Sequence, residues 1–69
     1  MSEHTYKIIE LVGSSHTSIE RAVQNAIAKA ELSESKMRWF ELLETRGHID
    51  NGKIAHWQVR VKIGVTMDD

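Results

Sequence analysis

No cysteine and no proline occur in the 69 residues. Without thiols there are no disulfides and no thiolate zinc sites, and the redox compartment is open, though a reducing cytosol fits. With no proline and only 4 glycines, nothing reads as linker, low complexity or disorder. Charge of one sign is lacking too. The net charge is −1 and there is no basic block, so the electrostatic footprint of a nucleic-acid binder is absent. No apolar run approaches the ~20 residues that a membrane span needs. The opening stretch Met1–Lys7 lacks the apolar core of a secretory signal, so cytoplasmic residence is expected. A chain this short makes one domain, residues 1–69. At about 60 residues a domain buries only ~60% of its unfolded surface. Small domains make up that deficit with disulfides, metals or oligomerisation. Oligomerisation is what this composition leaves.

What is present reads as β-α-β-β. Thr5 to Val12 is β-branched and apolar, a strand signal. Tyr6, Ile8 and Val12 fall on one parity, Ile9 and Leu11 on the other, as in a strand covered on both faces. Lys7 and Glu10 interrupt opposite faces, so the cover is either incomplete or supplied by another chain. Gly13-Ser14-Ser15 ends the strand. Thr17-Ser18-Ile19-Glu20 matches a capping box, with Thr17 as N-cap and Glu20 reaching back. Ile19, Ala22, Val23, Ala26, Ile27 and Ala30 then recur at helical period. That stripe is a core-covering helix face and needs no functional reading. The helix is expected to end near Ser33, with a polar connection to Lys36.

Met37 to Ile49 is a long second strand, and Ile54 to Val65 a third. Between them, Asn51-Gly52 suits the positive φ angles of a type I′ turn. The third strand alternates cleanly: Trp57, Val59, Val61, Ile63 and Val65 against His56, Gln58, Arg60, Lys62 and Gly64. Its apolar parity fixes the core face. The helix crossover runs the first two strands in one direction, and the hairpin reverses the third. An all-antiparallel sheet therefore has the order 1-3-2, an α+β fold.

The stretch RWFELLETRGH, Arg38 to His48, sets the central question. With Asn51 and Gly52 as the turn, Ile63 meets Phe40 and Val61 meets Leu42, the helix-facing core. Trp39 then lies on the outer face. There Glu41 opposes Lys62, Leu43 opposes Arg60 and Thr45 opposes Gln58. An exposed Trp reads first as a subunit contact, and more sharply as a stacking platform for a flat ligand. Trp57, of odd parity, reads as core. A bulge at Gly47 would shift this pairing, and Arg46 and His48 would then change face.

Other constellations lead nowhere. His48 and His56 point to opposite faces in this register, and His4 and His16 lie elsewhere. No His-Glu-x-x-His pattern occurs, so no metal site is expected. Gly13-Ser14-Ser15 before a helix is a weak phosphate signal, and a plain turn accounts for it better. Glu41 and Glu44, of opposite parity, do not share a site. No catalytic site follows.

The landmarks Val12-Gly13-Ser14-Ser15, the Ala-rich helix, Trp39-Phe40-Glu41, Arg46-Gly47-His48, and Gln58-Val59 with Val61-Lys62-Ile63-Gly64 together resemble the dodecins. These are small flavin-binding proteins. The likeness runs from about Thr5 to Gly64, and Arg-Gly-His resembles the bacterial branch. It implies a sheet wrapped around one helix, assembled as a hollow homododecamer with flavins in pairs between subunits. It implies that Trp39 stacks on the isoalloxazine ring and that Gln58 hydrogen-bonds its polar edge. Arg46 would line the pocket, with His48 as a further carry-over. The ligand would be FMN, riboflavin or FAD; some members also take coenzyme A. Trp57 is bulkier than the family's usual Phe or Tyr, and Val65 to Asp68 departs from its pattern. The implied role is flavin storage or sequestration without an enzymatic step. The rivals are a cofactor-free oligomerisation module and a flavoenzyme. In the expected register Trp39 and Gln58 are about six residues apart along the sheet, or ~20 Å, so one ring could touch both only across two subunits.

Overall fold

The computed structural model describes residues 3–67; Met1, Ser2 and Asp68 of the stretches discussed above lie outside them. Four elements follow in order: β1 (Tyr6–Ser15), α1 (Ile19–Ala30), β2 (Met37–Asp50) and β3 (Lys53–Thr66). The sheet is antiparallel with the order β1-β3-β2, as alternation and crossover logic require.

β3 holds the core together. Val59, Val61, Ile63 and Val65 point to one side and are buried against Ala22, Val23, Ala26 and Ala30 of α1. The small alanines let the helix approach closely. Gly13 takes this further. A Cβ there would collide with the Ala22 carbonyl and sit 2.8 Å from the Ala26 Cβ. Gly13-Ser14-Ser15, expected as a turn that ends the strand, is strand instead. β1 continues through all three residues, and the close approach of α1 is what excludes a side chain at Gly13.

The helix starts one residue later than the capping box implied. Ser18, not Thr17, is the N-cap, and its Oγ accepts the Arg21 N–H at 3.0 Å. The buried Ser15 Oγ accepts the Thr17 N–H at 2.9 Å, which spends Thr17 on the strand-to-helix corner. α1 ends at Ala30 rather than near Ser33. Residues 31–33 form a turn in which Ser33 and Glu34 donate backbone N–H groups to the Ala30 carbonyl. At the hairpin, Asn51 and Gly52 both have positive φ, 54° and 73°, as a type I′ turn demands.

Length mismatch shapes the subunit. Twelve helical residues span ~18 Å, whereas strands of 14 residues span ~46 Å. The chain measures 54 × 20 × 15 Å. α1 packs mainly on β1 and β3; of β2 only the start, at Met37, packs against the core, and most of that strand is left uncovered. Phe40 and Leu42 pair with Ile63 and Val61 as expected, yet they are 52% and 40% exposed. They line the helix side of the sheet without being core, because the helix does not reach them. Trp57 is likewise only partly buried. It sits beyond the helix start in an open recess with Ile19, Ile49 and Ile54.

Candidate functional site

From Trp39 to Leu42 the pairing follows the turn. Trp39 opposes Gly64, Phe40 opposes Ile63, Glu41 opposes Lys62 and Leu42 opposes Val61. Glu44 then opposes Arg60, so Leu43 is an extra residue without a partner. The bulge therefore falls at Leu43, four positions before Gly47. A bulge leaves one residue unpaired and shifts the pairing of everything beyond it. Thr45 consequently meets Val59 instead of Gln58, and Arg46 meets Gln58. A further shift between His48 and Ile49 restores the register before the turn.

This bulge assembles the outer face. Arg46 joins Gln58 there, and its Nε donates to Gln58 Oε1 at 2.8 Å. The Gln58 amide is thereby oriented, with its oxygen on the guanidinium and its NH₂ turned elsewhere. Glu44 comes to the same face as Glu41, contrary to their sequence parity. Glu41 pairs with Lys62 at 3.8 Å, while Arg60 bridges Glu44 at 3.4 Å and Glu10 at 2.8 Å. Between Trp39 and Arg46 the face is thus a lattice of paired charges.

His48 opposes His56, and the two rings stack with centroids 4.3 Å apart and planes 22° apart. The register expected from the turn sent them to opposite faces; the Leu43 bulge brings them together. His16 stands edge-on to His56 at 5.7 Å. Among the described residues no group of three or more His, Cys, Asp or Glu side chains is arranged to hold a metal ion.

Trp39 lies at the other end of this face. The indole rests over Gly64 so closely that a Cβ there would fall among the atoms Cε2, Cζ2 and Nε1. It is on the side away from α1, as strand parity predicts, and is 38% exposed. The Tyr6 ring meets it edge-on, with centroids 6.0 Å apart and planes at 68°. In the sequence Tyr6 shares a parity of β1 with Ile8 and Val12, but neither its face nor its link to Trp39 was assigned. The link needs the β1–β3 register, in which Tyr6 opposes Thr66 and Ile8 opposes Gly64. The glycine at 64 is the signal that was passed over, since glycine inside a strand often marks a close approach.

The candidate residues thus form two groups on one face: Trp39 with Tyr6 and Gly64, and Arg46 with Gln58 and His48. Gly64 and Gln58 are six positions apart along β3, a distance of ~20 Å. Exposed Ile8 and Val12 also belong to this face. One planar ligand can reach both groups only if they come from different copies of the chain.

A family model described as Dodecin matches residues 5–68. The dodecin of Thermus thermophilus is 36% identical over 64 residues, covering 93% of this chain and 93% of that protein. The solved dodecin from Streptomyces davaonensis is 40% identical, with a TM-score of 0.90 over 99% of this chain and 100% of that one. The structure of dodecin from Streptomyces coelicolor is 42% identical, with a TM-score of 0.91 over 100% of this chain and 99% of that one.

Proposed function

The chain belongs to the dodecin family, and from that premise we propose that it stores and sequesters flavins between the subunits of a hollow homododecamer in the cytoplasm. The observation that carries this reading is the Trp39 indole, laid over Gly64 on the outer face with its other face available. A flat electron-poor ring system fits against it. Offset stacking adds ~0.5–1.5 kcal/mol beyond burial. In such contact the indole quenches the excited state of the flavin by electron transfer, so bound ligand is dark.

The Arg46–Gln58 pair, with His48 beside it, suits the polar edge of the same ligand. Gln58 keeps its NH₂ to donate, and Arg46 keeps further N–H groups beyond the one given to Gln58. Because the two groups are ~20 Å apart along the sheet, the ligand lies between subunits, and assembly is part of binding. The bare apolar residues of β2 and the outer face supply surface for that assembly. The carboxylates on this face, Glu10, Glu41 and Glu44, are engaged by Arg60 and Lys62. This fits a holding role better than general acid–base chemistry. FMN is the ligand to try first, with riboflavin and FAD beside it.

Mass measurement after size exclusion, followed by FMN titration with emission as the signal, tests this directly. The expected result is a large assembly that darkens added FMN. A chain that binds FMN tightly as a monomer would contradict the shared site. Trp39→Ala should lose both affinity and quenching, and undiminished darkness in that variant would refute the stack.

A further inference from the structure

We propose that Gly64 and Tyr6 are positioning residues for the Trp39 indole: together they form a seat that fixes the plane in which the ring is offered to a ligand. The proposal rests on Trp39 as the stacking platform, but the seat has consequences that need no ligand.

Trp39 and Gly64 are direct cross-strand partners. The indole does not stand up from the sheet beside its partner; it lies across it, in the space a Cβ would occupy. Gly64 is buried although it faces away from the helix, and the indole that covers it is what buries it. Glycine within a central strand ordinarily weakens the sheet, having no side chain to pack. Here the loss is offset by an aromatic ring laid over the bare backbone, a known way of rescuing strand glycines. Tyr6 on β1 closes one edge of the seat in a T-shaped contact, an arrangement that aromatic quadrupoles favour. With its inner face on backbone and Tyr6 set against it at 68°, the ring is not free to swing, and its outer face is left for stacking.

An alanine at 64 removes the seat, because its methyl must displace the ring. The indole then tilts or turns out of plane while still present and still on the same face. Stacking and quenching both depend on parallel contact, so both should suffer without loss of the Trp itself.

A ligand-free double-mutant cycle and a flavin titration test this together. Without ligand, Gly64→Ala should lower the thermal midpoint when Trp39 is present. In a Trp39→Ala background the same change should not lower it, because alanine suits an open strand better than glycine. Additive effects in this cycle would overturn the seat, whether or not the protein binds flavin. With FMN, Gly64→Ala should raise Kd at least tenfold and restore part of the ligand emission; wild-type values for both would overturn the proposal. If Gly64→Ala does not fold, Tyr6 decides: Tyr6→Phe, which keeps the ring, should bind as wild type, and Tyr6→Leu should bind several-fold more weakly. Equal binding by those two would refute the positioning role. A wild-type protein that ignores FMN sinks the flavin reading and leaves the ligand-free cycle to judge the seat alone.

Discussion

Gly13 and Arg46 show how much a single position carries here. Gly13 lets α1 come down onto β1, and what a Cβ there would strike is helix backbone and the Ala26 Cβ. Neither can yield without moving the helix. Overpacking of this kind costs about 1–3 kcal/mol, so Gly13→Ala should lower the urea midpoint by a corresponding amount. Arg46 is different, because its backbone pairing does not depend on its side chain. Arg46→Ala should leave the sheet intact, free the Gln58 carbonyl oxygen, and weaken FMN binding in titration. Arg60 offers a contrast. It holds Glu10 and Glu44 at the surface, with side chains about half exposed. Exposed pairs contribute ~0–1 kcal/mol, so Glu10→Gln should scarcely move a thermal midpoint.

Among the elements, β3 was the most readable and β2 the least. The Val-Ile parity of β3 placed the core and the order of the strands, and Asn51-Gly52 placed the turn. Together they put Trp39 on the outer face and opposite Gly64. The Arg46–Gln58 and His48–His56 pairs were not readable, because both depend on an unpaired Leu43. A bulge of this kind needs no glycine and leaves no mark in the order of apolar and polar residues. Gly47 looked a better place for it and is instead an ordinary paired residue. The helix stripe was legible, but its first turn was not, since Thr17 and Ser18 are equally good caps on paper. Ser18→Ala should cost about 1 kcal/mol, measured by urea unfolding, and Thr17→Ala less. The bulge makes its own prediction. Deleting Leu43 removes a residue that has no partner, so Arg46 should stay beside Gln58 and FMN binding should survive. Deleting Thr45 turns Arg46 to the helix side, and binding should fail.

Across the whole molecule, a short helix supports a long sheet. Phe40, Leu42, Ile49 and Ile54 stay exposed, and one chain has nothing further to cover them with. Stability should therefore rise with protein concentration, as it does wherever association favours the folded state. Leu42→Asp, on the helix side and away from the Trp39 face, should give smaller species in size exclusion and a lower thermal midpoint. An unchanged mass would place Leu42 outside the subunit contacts. The overhang also bears on how the protein survives in a cell. The ~18 Å helix underlies less than half of a ~46 Å hairpin, so a newly synthesised copy should be adhesive and open to proteases until another copy covers it. Its lifetime should then depend on encounters between copies. Halving the rate of synthesis should more than halve the amount that accumulates.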